Sequence, residues 1–430
     1  MDIADKIPKE TDQTEGLLLT SLRKTVKRVL PIKHYQESYG AIGITQAEDI
    51  KTLKDFQRLP LTTKEDLRRN YPFGLFAEPM ENIVRLHASS GTTGKPTVVG
   101  YTRQDINLWA KIVANELTRV GLTKKDVVQI AYGYGLFTGG MGLHYGCEEL
   151  GAIVVPISGG NTARQLMLMR DFGTTVLACT PSYALFLAES LEESGISRDE
   201  LKLKFGIFGA EPWTEGMREE IEARLGIKAF DIYGLSEIMG PGVALECPAH
   251  QGLHIDEHFY PEILDEEGNP LSTGKRGELV ITSIDKEGFP VLRYRTKDLT
   301  TLRYGTCSCG HVGWTMERVS ARVDDMLIIR GVNVFPSQVE EAILLEGFEP
   351  HYLLVVYRVG NLDQLEVQVE VNEASFFDEV RELEGRQDRL KKRIEDVLGI
   401  SVRIRLVEPK SIPRSEGKAV RVIDKRKKEG

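Results

Sequence analysis

The sequence predicts an α/β protein in two parts. A large N-terminal domain has parallel sheet flanked by helices plus a β-rich subdomain, and a small mobile α+β domain follows. Three observations predict it. The chain has 430 residues, too many for one compact core. From about residue 125, short apolar runs alternate with helical patterns. Beyond residue 259, runs of alternating polarity are separated by Gly- and Pro-rich turns.

Residues 14–80 read as mainly helical, with a break at Leu59-Pro60. The runs 126–132, 152–157, 174–179, 203–209 and 227–233 read as buried strands, with helices at 161–172, 182–194 and 215–225 between them. Strand–helix–strand repetition requires a parallel sheet covered on both faces. Ligands on such sheets bind at the carboxyl ends of the strands. GAEP (209–212) and YGLSE (233–237) both follow predicted strands. ELVITSI (278–284) and VLRYR (291–295) are the strands of an antiparallel or barrel-like subdomain. Next, a strand ends at Arg330-Gly331, and Pro336 with Ser337 opens a helix through Ile343. The remainder gives strands near 352–358, 364–371 and 401–407 and a charged helix at 375–398. The division falls near Asp324-Asp325, making domains of residues 1–323 and 324–430.

Net charge is −9, with both signs mixed along the chain, which argues against nucleic acid as a partner. The basic cluster Lys425 to Lys428 reads as a solvated tail. No stretch has the apolar length to span a bilayer, and the polar N-terminus has no signal-peptide core. The expectation is a cytoplasmic protein with no membrane partner. Five cysteines argue against a disulfide framework. Cys247 and His254 lie in CPAHQGLH, and Cys307 and Cys309 in CSCG. Three thiols and an imidazole satisfy a structural, tetrahedral zinc site. His250 is an alternative fourth ligand, and His311 a weaker one.

Residues 85–102, RLHASSGTTGKPTVVGYT, carry the most functional information. Ser89, Ser90, Gly91, Thr92, Thr93, Gly94 and Lys95 combine hydroxyls, flexible backbone and one ammonium. Such a loop can wrap a polyphosphate with N–H donors, hydroxyls and a cation. Pro96 follows the lysine, so G-x-x-x-x-G-K-[ST] is absent and no helix starts there. The pattern predicts a phosphate loop between two strands.

With TTKEDLRRNYPFGLF (62–76), YGYGLFTGG (132–140), DIYGLSE (231–237), RYRTKDLT (293–300), DDMLIIRGVNVFPSQVE (324–340) and PRSEGKAVRV (413–422), these motifs form an ordered set. In that order and spacing the chain resembles the adenylate-forming superfamily of acyl-CoA synthetases, and within it the phenylacetate–CoA ligases. The resemblance implies ATP, Mg2+ and coenzyme A as cofactors and a small aryl acid as substrate. A carboxylate attacks the α-phosphate of ATP, and CoA sulfur then displaces AMP. An enzyme of the same superfamily that charges another acceptor, as coenzyme F390 synthetases do, is the alternative.

The same resemblance assigns residues. Lys418 is the adenylation lysine, bridging carboxylate and α-phosphate. Asp298 accepts from the ribose hydroxyls, with Arg322 at the same ribose or at phosphate. The family often has glycine where Lys297 stands. Glu237 holds Mg2+. Tyr233 and Gly234 wall the adenine on one side, Ala210, Glu211 and Pro212 on the other. Gly209, Ser236 and Asp231 complete the nucleotide set. Tyr132, Phe137, Ile232 and Pro241 line the acyl pocket, and Leu143 narrows it. Asp324 is the hinge about which the C-terminal domain swings, bringing Arg330 and Gly331 beside the pantetheine tunnel. A homodimer is the implied assembly.

Overall fold

The structure, a computed structural model, describes residues 12–89, 96–359, 362–371, 380–415 and 417–426. The N-terminal stretch is helical as expected: α1 (Asp12–Val29), α2 (Lys33–Gly40), α3 (Leu53–Gln57) and α4 (Lys64–Arg69). Thr52 and Thr63 start the last two with capping boxes, closed by Asp55 and Asp66. After the Leu59-Pro60 break the chain is extended, and Thr62 bridges Tyr294.

Strands β1 (Arg85–Ser89) and β2 (Thr97–Tyr101) form an antiparallel hairpin with Ser89 opposite Thr97. The loop they flank, Ser90 to Lys95, lies outside the described residues. Helix α5 (Arg103–Val120) follows, from a Thr102 cap to a left-handed Gly121.

The predicted alternation then unfolds as β3 (Val127–Ile130), α6 (Gly139–Leu150), β4 (Ile153–Val155), α7 (Thr162–Asp171), β5 (Val176–Cys179), α8 (Pro181–Ser194), β6 (Phe205–Gly209), α9 (Glu215–Leu225) and β7 (Lys228–Leu235). Strands β4-β3-β5-β6-β7 pair in that order, all parallel. Alternate residues of β5 feed separate cores. Val176 and Ala178 join Trp109, Ile130 and Ile232 on one face, while Leu177 and Cys179 join Phe208 and Met217 on the other.

The β-rich part comprises β8 (Met239–Glu246), β9 (Leu253–Ile255), β10 (Phe259–Leu264), β11 (Arg276–Ser283), β12 (Tyr294–Thr306), β13 (Val312–Met316) and β14 (Ala321–Arg322). It is not a separate sheet. β8 pairs antiparallel with β7, so among the described residues twelve strands form one mixed sheet. That pairing also carries β7 through Leu235, placing Tyr233 and Gly234 inside a strand rather than after one. The run 291–295 is a strand only from Tyr294. Arg293 stands in its way with φ 47°, its buried guanidinium donating to both Glu262 oxygens at 3.0 Å.

A second unit follows: β15 (Leu327–Ile329), β16 (Val332–Val334), α10 (Pro336–Leu345), β17 (Tyr352–Val359), β18 (Leu362–Glu370), α11 (Val380–Leu398), β19 (Arg403–Val407) and β20 (Val422–Asp424). Its four-stranded sheet, in the order β19-β18-β17-β20, packs its own core of Ile343, Leu354, Val367, Ile394 and neighbours. Among the described residues no helix is long and apolar enough to cross a membrane.

Candidate active site

Asp298 lies on β12, almost fully buried, and is held from two sides. The Tyr233 hydroxyl donates to one oxygen at 2.6 Å, and Arg322 Nη1 to the other at 2.8 Å. Register explains the second contact, since Asp298 faces Arg322 across the β12–β14 pair. Burial pushes the Asp298 carboxyl up to about 6, against the pull of Arg322, Tyr233 and Lys418. Lys418 itself is exposed, on the loop before β20. Arg322 also donates to both oxygens of Asp324, at 3.0 and 3.1 Å. The predicted hinge residue is thus tied to the predicted ribose site. Lys297, where the family often has glycine, has φ 68°, a backbone that glycine adopts without strain.

Glu237 follows β7 and is buried. One of its oxygens accepts from Thr97 Oγ1 at 3.1 Å and lies 3.7 Å from Lys64 Nζ. Thr97 is bonded in turn to Ser89, so the foot of the β1–β2 hairpin rests on this carboxylate. Two lysines near it were not singled out from the sequence. Lys64 opens α4, and its neighbour Thr62 is hydrogen-bonded to Arg293 and Arg295 in the segment leading to Asp298. Lys286 is fully buried and donates to the Ile238 carbonyl at 2.7 Å, with its ammonium 4.3 Å from the Tyr101 ring centre. Burial lowers it to about 8, though Asp105 and Glu237 oppose the shift. Lys64 was visible in TTKED; Lys286, between Asp285 and Glu287, read only as a charged turn.

GAEP turns sharply after β6. Ala210 has φ 70°, and a Cβ at Gly209 would fall 2.1 Å from the Ile232 carbonyl. Glu211 reaches two amides: Ser182 N–H at 2.8 Å and Ala419 N–H at 2.9 Å. Thr180 Oγ1 donates to the Gly417 carbonyl at 3.0 Å. Both neighbours of Lys418 are therefore fixed to the large unit. Gly234 packs tightly too, since a Cβ there would meet Gly240 and Met239 at 2.8 Å. Asp231 is buried 3.7 Å from Arg318, and burial, with the Glu246 charge, pushes its carboxyl up to about 7. Arg318 lies over the Trp213 ring, just past Pro212.

Of the residues expected to line the acyl pocket, Tyr132, Leu143 and Ile232 share one apolar cluster. Pro241 is buried, its carbonyl accepting from Trp109 Nε1 at 2.5 Å. Ser236 meets Thr138 at 3.2 Å. Phe137 stands apart, 51% exposed, so it walls nothing in this arrangement. Arg330 also points elsewhere. It has φ 52° and bonds Ser401 at 2.8 Å, while the neighbouring Gly331 is exposed.

The Cys/His set converges. Ligand atoms of Cys247, His254, Cys307 and Cys309 all lie within 4.8 Å of one another. Cys247 and Cys307 sulfurs are 3.7 Å apart, and Cys309 Sγ is 3.4 Å from His254 Nε2. A disulfide needs about 2.05 Å, whereas thiolates around one zinc at about 2.3 Å stand about 3.8 Å apart. Thr315 engages His254 Nδ1 at 3.1 Å, leaving Nε2 toward the sulfurs. His250 is not part of the set, because its ring stacks on Phe230 and its Nδ1 meets Arg218. His311 lies beside His254, ring centres 4.3 Å apart.

Comparison with known proteins agrees with this geometry. Residues 18–284 match the AMP-binding enzyme family, and residues 331–426 the AMP-binding enzyme C-terminal domain. The phenylacetate-coenzyme A ligase of Escherichia coli (strain K12) is 52% identical over 96% of this chain and 95% of its own. That of Thermus thermophilus is 50% identical over 92% and 93%. The solved structure of 2-hydroxyisobutyryl-CoA ligase in the postadenylation state, with 2-HIB-AMP, is 27% identical, covers 97% of this chain and 90% of its own, and superposes with a TM-score of 0.90. The same enzyme in its thioesterification state, with 2-HIB-AMP and CoA, at 28% identity and equal coverage, gives 0.70. The chain therefore belongs to the AMP-binding enzymes, and among them to the phenylacetate–CoA ligase family.

Proposed function

We propose that this protein activates phenylacetate, or a related aryl acid, with ATP and passes the acyl group to coenzyme A. The substrate carboxylate oxygen attacks the α-phosphorus and pyrophosphate leaves. The CoA thiol, losing its proton, then attacks the acyl carbon and AMP leaves. One observation carries the reading. The loop bearing Lys418 is docked by both neighbours of the lysine against GAEP and the start of α8, where its charge reaches Asp298.

In this reading Asp298 accepts from the ribose diol, Arg322 beside it. Tyr233, Gly234 and the 209–212 turn flank the base, with Asp231 and Ser236 at its edge. The 89–95 loop holds the phosphates, its foot on Glu237. Glu237 would hold magnesium, which when bound neutralises triphosphate charge. Lys64 adds a cation at the same place. Tyr132, Ile232 and Pro241 form the acyl wall, narrowed by Leu143 and closed by Phe137 once substrate is present. Lys418 stabilises the charge that develops between carboxylate and phosphate.

The domains divide at 323/324, and the smaller one swings about Asp324 between half-reactions, taking Lys418 away and bringing Arg330 and Gly331 to CoA. Two superpositions on one enzyme, 0.90 on its postadenylation state and 0.70 on its thioesterification state, support such a rearrangement. Cys247, His254, Cys307 and Cys309 would hold a structural zinc; their spacing supports it. By resemblance, the enzyme works as a cytoplasmic homodimer. The test is a panel of aryl acids scored for pyrophosphate release with and without CoA. Release with phenylacetate, and thioester only with CoA, is expected. Failure to split ATP with any acid overturns the reading.

A further inference from the structure

Away from the nucleotide, a second set of contacts joins the two units, and its large-unit partners lie on α8. Glu189 and Glu193 are one turn apart on that helix. Glu189 is bonded by His351 Nε2 from the small unit and by Arg414 Nε at 3.0 Å. Arg414 also forks onto Glu370, at 2.9 and 2.8 Å. Glu370 in turn accepts the Ile412 N–H at 2.6 Å. Glu349 stands 3.8 Å from His351, and Lys410 pairs with Glu193. The central groups are largely sequestered: side-chain exposure is 8% for His351, 13% for Glu189 and 15% for Arg414. Burial works against the Glu189 charge, yet His351 and Arg414 hold its carboxyl down at about 2.

The position of this cluster in the chain gives it a use. Arg414 lies four residues before Lys418, and Gly417 and Ala419 are fixed by Thr180, the N-cap of α8, and by Glu211. The segment 414–419 is thus fastened at both ends, mostly along one helix. Its polar contacts are mostly between charged groups, with Leu185 and Ile412 beside them. Ions that separate into water are resolvated, whereas a parted apolar seam leaves exposed hydrophobic surface. An ionic seam therefore fits a contact that must form and break every turnover.

We infer that α8 is the docking rail for the Lys418 loop, and that Glu189 is a positioning residue for the adenylation half-reaction alone. This rests on the two-step reading above. It assigns Glu189 no contact with substrate. Glu189 acts through Arg414, and losing it biases the small unit away from the arrangement seen here.

The experiment measures both half-reactions in the full chain carrying Glu189→Gln and, separately, Glu193→Gln. Adenylation is read as pyrophosphate release from ATP and phenylacetate. Thioester formation is read from supplied phenylacetyl-adenylate and CoA. In the first variant Arg414 keeps Glu370 as its partner, and His351 keeps Glu349 at 3.8 Å. Glu189→Gln should slow adenylation about tenfold or more and leave thioester formation unchanged or faster. Glu193→Gln, at an exposed pair, should move the same ratio in the same direction by less. Equal loss of both half-reactions, or no change in their ratio in either variant, overturns the inference. If Glu189→Gln does not fold, the ratio in Glu193→Gln decides alone. Wild-type protein that releases no pyrophosphate would contradict the two-step reading instead, a result distinct from an unchanged ratio.

Discussion

At the scale of single residues, the site concentrates charges whose states are set by burial. Asp298 is the clearest. Its carboxyl is raised to about 6, so it is ionised above that pH and protonated below. In the proposed role, a protonated Asp298 offers the ribose fewer acceptor sites. ATP binding should therefore be strong at pH 8 and weaken as pH falls through about 6; Asp298→Asn should flatten the dependence of KM for ATP on pH over that window. The stability sign is opposite. Between the unfolded value near 3.8 and about 6, the native acid binds more protons than the unfolded one. Its contribution to stability is present below that window and lost as pH rises through it. Lys418→Ala should abolish adenylation, measured as pyrophosphate release, and spare thioester formation from supplied acyl-adenylate. Lys418 and Asp298 were both singled out in the sequence, through their motifs. Lys286 was not, because a buried cation is defined by neighbours from β2 and the turn after Glu237, which no local pattern reveals.

At the scale of elements, the helices expected at 161–172, 182–194 and 215–225 fall within a residue or so of α7, α8 and α9, because apolar periodicity and caps coincide, whereas α5 and α6 were not placed from the sequence. Residues 215–225 are helical as expected, from a Thr214 cap to a left-handed Gly226. The parallel strands were equally clear. What the pattern could not reveal is that β8 joins both halves of the sheet. A strand's partner depends on register over long range, and Met239–Glu246 is buried on both faces and lacks alternation. The Cys/His set shows the converse: separate loops, harmless in isolation, meet because β9 and β13 pair His254 with Thr315. Elemental analysis should give about one zinc per chain, as one tetrahedral site requires. Cys309→Ser should lose it and lower the melting temperature by several degrees, since metal binding is coupled to folding.

At the scale of the whole molecule, the chain folds around three apolar clusters, one of them private to the small unit. A unit with its own core can move as a body. Asp324 lies in a short 3-10 turn, where proline's fixed φ near −65° is tolerated. Asp324→Pro also removes the Arg322 pair, so adenylation should fall somewhat, and thioester formation should fall at least about tenfold further, since the substitution freezes the backbone in the present arrangement. Rapid-quench measurement of each half-reaction checks this.

The fastening of the Lys418 loop through Gly417 and Ala419 uses a main-chain carbonyl and a main-chain amide. Side-chain identity beside the lysine is therefore nearly free, while the two residues that reach for that backbone, Thr180 and Glu211, are not. Saturation mutagenesis scored on product yield should tolerate most replacements at Ala419 and reject proline, which has no hydrogen to give Glu211. Evolution could redecorate the rim of this loop at little cost, provided that the helix beneath it kept its grip.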